Sequence, residues 1–149
     1  MAVFIREAHA GDRDALGAVK LQSSLAWGDH AEELRSLPQA GEIPVAHLPH
    51  AIVAELDGRI VGFATVVAGR DAMQAELKDL FVAPKLWRTG IGRKLLAEAE
   101  HRAATRGART LHVVAGERAR PFYEASGYRF AGTTATDFEP AVELLKDLP

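Results

Sequence analysis

Gly90 and Gly92 bracket a single isoleucine, and Val82, Pro84 and Arg88 before them read as the end of an apolar strand and the turn that leaves it. Ile91, Leu95, Leu96, Ala99 and Ala103 then recur at helical spacing, so the glycines fall where a strand hands over to an amphipathic helix. The first amides of a helix have no partner within it and the helix dipole adds positive potential there, which makes this turn a binding place for an anion. Arg88, Arg93 and Lys94 gather at the same end, where the dipole disfavours positive side chains; a bound phosphate reverses that sign. A P-loop would need Gly-Lys-Ser/Thr after the glycines, and a dinucleotide fingerprint would need a third glycine opening a parallel βαβ unit. Ile91-Gly92-Arg93-Lys94 supplies neither.

Other chemistries thin out quickly. The chain has no cysteine, which excludes a thiolate metal site, a disulfide framework and a cysteinyl acyl-enzyme. His47 and His50 lie close together, but no third ligand stands at a recognised spacing, so no metal is expected. Ser126 beside Gly127 reads as a helix end, because no Gly-x-Ser-x-Gly elbow surrounds it. A formal net charge of -2 lacks the basic excess of many nucleic-acid binders, and no nucleic-acid partner is expected. No apolar run approaches the roughly 20 residues that cross a bilayer, and Met1 to Ala10 shows no signal-peptide core, so the default is a cytoplasmic protein without a membrane partner.

The elements that must position the glycine turn follow from pattern. At 149 residues with 48% hydrophobic side chains, one domain over residues 1–149 is expected. Val3 to Glu7 reads as a strand, followed by a helix from Gly11 and Asp12 that carries Leu16, Val19 and Leu21 inward. A second helix is predicted from Trp27 to Leu37, closed by Pro38, and Pro38 to Pro49 reads as one long loop. Asp57-Gly58 between two apolar runs, Ile52 to Leu56 and Arg59 to Val67, marks a hairpin. Ala75 to Val82 is a further strand, Gly90 to Arg106 a helix capped by Gly107, and Thr110 to Ala115 a strand. Glu117 to Ser126 is a short helix, and Tyr128 to Thr133 and Ala141 to Leu145 are the last strands.

Two stretches together resemble a known family. Leu80-Phe81-Val82-Ala83-Pro84 followed by Trp87-Arg88-Thr89-Gly90-Ile91-Gly92-Arg93-Lys94-Leu95-Leu96 is similar to motif A of the GCN5-related N-acetyltransferases, and Ala119 to Tyr128, containing Pro121-Phe122-Tyr123, is similar to their motif B. The resemblance implies an α/β fold of the α+β type: a mixed, mostly antiparallel sheet of about seven strands, splayed at its centre and flanked by about four helices. It also implies acetyl-CoA as co-substrate. Leu80, Phe81 and Val82 would border the pantetheine, Thr89, Gly90, Ile91 and Gly92 would give their amides to the pyrophosphate, and Arg88, Arg93, Lys94 and Phe122 would lie along the cofactor. Trp87 stands where the family usually has Gln or Arg, which should cost little if backbone amides make most phosphate contacts. Gly116 stands where the family often has Asn, so no side-chain contact to pantetheine is expected there.

The resemblance further implies the chemistry: direct acetyl transfer to a primary amine in a ternary complex, with an acyl-CoA binding module that does not turn over as the alternative. Tyr123 matches the tyrosine that protonates the departing thiolate. Glu76 matches the general-base glutamate of the histone-acetylating members, with Asp79 and His112 as rivals. An alkylammonium with a pKa near ~10.4 must lose a proton before it attacks, hence the need for a base or a water chain. The acceptor is a small molecule, peptide or protein amine, chosen by Gln22 to Glu42 and Thr133 to Pro140. Asp29, Glu32, Glu33 and Glu42 would favour a cationic amine weakly, or are simply solvated helix faces. Homodimerisation is expected by analogy.

Overall fold

A computed structural model describes residues 2–28, 31–136 and 140–149. A sheet of seven strands has the order β1-β2-β3-β4-β5-β7-β6, with β1 Val3–Glu7, β2 Ala51–Leu56, β3 Arg59–Ala68, β4 Gln74–Val82, β5 Thr110–Ala115, β6 Arg129–Thr134 and β7 Ala141–Asp147. Four α-helices lie among the described residues: α1 Arg13–Ala26, α2 Ala31–Ser36, α3 Ile91–Thr105 and α4 Arg120–Ala125. β4 and β5 run parallel, and the β1–β2, β2–β3, β5–β7 and β6–β7 pairs run antiparallel. The fold class implied by the sequence is the one observed. The chain divides into two compact units, residues 1–65 with 79–97, and residues 66–78 with 98–149.

In the first unit the Asp57-Gly58 hairpin forms as the sequence predicts, with φ of 52° and 79° at its two central residues. Both are positive, as a two-residue turn matched to strand twist requires. Leu16, Val19, Ile43, Leu48, Ala51, Val53 and Phe63 make the core, with Phe81 packed against it. Phe63 and Phe81 place their rings 5.7 Å apart. α1 approaches the 38–41 segment so closely that a Cβ on Gly17 would lie 2.2 Å from the Gly41 carbonyl oxygen. Arg13 Nε donates to the Ile43 carbonyl at 2.7 Å and Lys20 Nζ to those of Gln39 and Glu42 at 3.1 Å, which fastens this stretch to the helix.

Three sequence expectations are corrected. The helix predicted from Trp27 to Leu37 is only Ala31–Ser36, because α1 runs on to Ala26 and Trp27 caps it; Asp29 and His30 lie outside the described residues. The long loop from Pro38 to Pro49 contains two 3-10 segments, Pro38–Gly41 and Val45–His50. Prolines 38, 44 and 49 deny α-helical hydrogen bonds yet suit tight turns. The helix predicted over Glu117 to Ser126 is a 3-10 turn, Glu117–Ala119, followed by α4. On α1, Leu16 and Val19 are buried as expected, whereas Leu21 is half-buried and Ser23 is buried.

In the second unit the β4–β5 ladder runs from Gln74↔Thr110 to Leu77↔Val113, and β5 pairs β7 from Thr110↔Asp147 to Ala115↔Val142. β6 pairs β7 with a bulge between Phe130 and Gly132. Glu100 on α3 accepts from the Tyr128 hydroxyl at 2.7 Å and from Lys146 Nζ at 3.0 Å, fixing the second half of that helix to the start of β6 and to β7. Burial, then the Glu100 bond, pushes the Tyr128 phenol well above its ordinary range, so it remains a donor.

Asp12 carries the tightest polar cluster of the first unit. Its side chain is 7% exposed and accepts from Arg6 Nη1 at 2.8 Å, from Arg6 Nη2 at 3.1 Å and from the His9 amide at 2.9 Å, while Arg6 Nε reaches Glu55 Oε1 at 2.6 Å. The Arg6 hydrogen bonds hold the Asp12 carboxyl below the usual range against the opposing effect of burial. A depressed carboxyl stabilises the fold above its unfolded value and ceases to do so as the pH falls through its folded value. Asp12→Asn should therefore destabilise by about 2 kcal/mol at neutral pH. Denaturant melts should show the gap to the parent closing below pH ~4.

Candidate active site

β4 is the outer strand of the first unit's share of the sheet beyond Lys78, and its Val82 carbonyl accepts the Trp87 indole N–H at 2.8 Å. That bond closes a short loop over the 3-10 turn Pro84–Leu86, and the Thr89 hydroxyl donates back to the Leu86 carbonyl. Two left-handed residues then redirect the chain, Arg88 at φ 66° and Gly90 at φ 92°. Nothing lies within 4 Å of a Cβ built on Gly90, so the backbone conformation rather than crowding selects glycine there. Arginine in this conformation costs about 1 kcal/mol, a strain that gathers at binding sites.

α3 begins directly after this turn. Its first bond is from the Lys94 amide to the Gly90 carbonyl at 3.1 Å, which leaves the N–H groups of Ile91, Gly92 and Arg93 without a partner four residues back. Ile91, Leu95, Leu96, Ala99 and Ala103 are all buried, so the predicted apolar face anchors the helix, while Arg88, Thr89, Gly90, Arg93 and Lys94 are exposed. A strand end, a left-handed turn, free helix amides and three cations together form a pocket of positive potential suited to a phosphate. The Trp87 ring stacks on Trp27 at the end of α1, centroids 5.0 Å apart and tilted 34°.

In the second unit Tyr123 is 6% exposed on α4, between Phe122 (5.1 Å, 80°) and Tyr128 (5.5 Å, 73°) in edge-to-face contacts. Its hydroxyl has no hydrogen-bond partner among the described residues. Burial raises the Tyr123 phenol above its ordinary range, keeping it protonated and able to donate. Phe122 beside it is 36% exposed.

The three rival bases separate into two groups. Glu76 on β4 and His112 on β5 are register partners, with Glu76 Oε2 2.7 Å from His112 Nδ1. The other ring nitrogen, Nε2, lies 3.0 Å from Glu143 Oε1 on β7. The cluster is a carboxylate–imidazole–carboxylate chain across three strands. Sequence reading missed Glu143, although alternation with buried Val142 and Leu144 puts it on the opposite face of β7. Asp79 lies in the other unit beside His47, Oδ2 to Nδ1 3.9 Å. Leu80 and Phe81 are half-buried and Val82 is buried.

A family profile described as the Acetyltransferase (GNAT) family matches residues 20–128. The chain belongs to the GNAT family. No curated protein matches the sequence significantly. Among solved structures, PaiA N-acetyltransferase from Thermoplasma acidophilum, in complex with coenzyme A, is 20% identical with a TM-score of 0.83 over 99% of both chains. An aminoglycoside 6'-N-acetyltransferase complexed with coenzyme A is 20% identical, TM-score 0.75, over 98% of both. N-acetylglutamate synthase from Neisseria gonorrhoeae, complexed with coenzyme A and N-acetyl-glutamate, is 22% identical, TM-score 0.74; all of this chain is covered but only 36% of that one, so the chain spans about a third of that synthase's length. The family is one of acetyltransferases, and each of these three neighbours was solved with coenzyme A bound.

The turn makes a separable prediction. Arg88→Gly relieves the left-handed strain, so its stability should equal or exceed the parent's, while removal of one of the three cations at the turn should weaken coenzyme A binding about tenfold. Gly90→Val, which forces a branched side chain into that conformation, should abolish binding in a protein that still shows native circular dichroism. Both tryptophans of the chain form the Trp27–Trp87 pair beside the turn, so their fluorescence can follow the titrations.

Proposed function

We propose that the protein is an N-acetyltransferase that moves the acetyl group of acetyl-CoA to a primary amine by direct transfer in a ternary complex, with both units belonging to one domain. The observation that carries this reading is the left-handed Arg88–Gly90 turn opening onto the free amides of α3. In it the pyrophosphate sits on the Gly90, Ile91 and Gly92 amides with Arg88, Arg93 and Lys94 around it, and pantetheine follows the outer edge of β4 from Val82 back toward Asp79. Direct transfer is supported by the absence of cysteine, which leaves no thiol to carry the acetyl group. Tyr123 protonates the sulfur as the C–S bond breaks, a role supported by its burial and its unpartnered hydroxyl.

The acceptor is an amine whose identity the neighbours do not narrow, since their names range from an aminoglycoside to a glutamate. Glu32, Glu33 and Glu42 are exposed, and the first two stand in the first turn of α2, where the helix dipole by itself favours them; Asp29 lies outside the described residues. A cationic amine remains the acceptor class these charges suit. Among the described residues no helix is long and apolar enough to cross a membrane; we place the protein in the cytoplasm and propose a homodimer as its assembly.

Calorimetry with acetyl-CoA and a thiol-release assay over a panel of amines test the reading. Binding with transfer to at least one amine is expected; binding without transfer would make the protein an acyl-CoA binding module. Tyr123→Phe should lower kcat about 10²-fold with acetyl-CoA affinity unchanged. Phenylalanine keeps the buried ring and its edge-to-face contacts, so the thermal midpoint should stay within experimental error of the parent's. Equal turnover in the variant would remove Tyr123 from the mechanism.

A further inference from the structure

Three buried side-chain polar atoms lack a hydrogen-bond partner among the described residues: His47 Nδ1, Asp79 Oδ2 and Thr65 Oγ1. Two of them face each other at 3.9 Å, in the first unit, between the 3-10 segment Val45–His50 and β4. Unpartnered burial of one such group costs about 1–3 kcal/mol, and more for a charged one, so two that face each other mark a site and not an accident of packing.

We infer that Asp79 and His47 form the dyad that takes the proton from the acceptor amine, an assignment that rests on the acetyl-transfer reading. The Asp79 side chain is 10% exposed and can only accept when ionised, so the His47 nitrogen that faces it must carry the hydrogen. That fixes the Nδ1–H tautomer and leaves the lone pair on Nε2. The His47 side chain is 27% exposed, and Nε2 is not among its buried unpartnered atoms, so the basic nitrogen is the one open to solvent. Closing the Nδ1–Oδ2 gap by about 1 Å gives an ordinary hydrogen bond. Glu76, by contrast, is engaged by His112, whose second nitrogen is engaged by Glu143.

Asp79 also stands where the chemistry should be. It is three residues before Val82, about 10 Å along the strand from the turn that would hold the pyrophosphate, which is the direction the pantetheine would run. His47 Nε2 takes one proton from the ammonium and later releases it to solvent. The free amine forms the C–N bond to the thioester carbonyl, and the C–S bond breaks. The thiolate takes the Tyr123 proton, and the acylated nitrogen gives one of its two protons back to the phenolate, which leaves a neutral secondary amide with a single N–H. His47 acts on the substrate itself, and Asp79 is a positioning residue.

The test reads the tautomer first. Long-range 1H–15N correlation spectra of histidine-labelled protein, recorded where the ring is neutral and assigned with His47→Gln, should show His47 as the Nδ1–H form. Asp79→Asn should move it toward the Nε2–H form. An Nε2–H ring in the parent overturns the dyad without any variant having to fold. On the amine that the panel selects, His47→Gln should lower kcat about 10²-fold or more and Asp79→Asn less, with acetyl-CoA affinity by calorimetry unchanged in both. A fall with Glu76→Gln and none with His47→Gln overturns the basic role of His47. A parent that binds acetyl-CoA but acetylates nothing overturns the transfer reading, and the tautomer then reports on the dyad alone.

Discussion

A carboxylate, an imidazole or a peptide amide taken out of water must find a replacement for the hydrogen bonds it gives up, and each polar cluster of this protein is a response to that demand. Asp12 meets it completely, with a guanidinium and an amide. Glu100 meets it with a phenol and an ammonium. His112 meets it on both ring nitrogens at once. These three fasten an entry to α1, the outer half of α3 and the strands β4, β5 and β7. Other groups are left unsatisfied, among them the opening amides of α3 and the buried His47 Nδ1, Asp79 Oδ2 and Thr65 Oγ1. Satisfaction and its lack are thus divided among residues of the same types.

The two tryptophans show how a departure from a family pattern is absorbed. The family's usual Gln or Arg is replaced by Trp87, whose N–H closes onto the Val82 carbonyl and whose ring lies on Trp27. The turn therefore gains an apolar brace where a polar side chain would have been. The left-handed residues after it are unaffected, because the geometry of the turn is written in backbone dihedrals at Arg88 and Gly90. Trp27 at the end of α1 is in this way tied to the turn that opens α3.

Much of this arrangement was legible in the order of residues, and what was not has a common cause. Period and punctuation are local: Asp57-Gly58 announced its hairpin, and the five apolar positions of α3 are all buried. Prolines announced a break but not its form, so Pro38 to Pro49 proved to be 3-10 turns where pattern suggests only loop. Cross-strand neighbours are not local at all. Glu76, Asp79 and His112 stood out as rivals, yet alternation reports which face a side chain takes and not whom it meets. Glu143, 31 positions from His112, and His47, 32 before Asp79, came into view only with the register.

The bulge between Phe130 and Gly132 has a consequence for how the protein keeps company with itself. β6 is the last strand of the sheet, and a straight last strand offers a continuous row of amides and carbonyls to any passing chain. The extra residue twists that row out of line and leaves only short stretches on either side of it. At the opposite margin β1 is five residues long. A sheet finished in this way resists growth by strand addition even where Phe130, 45% exposed, would otherwise invite it.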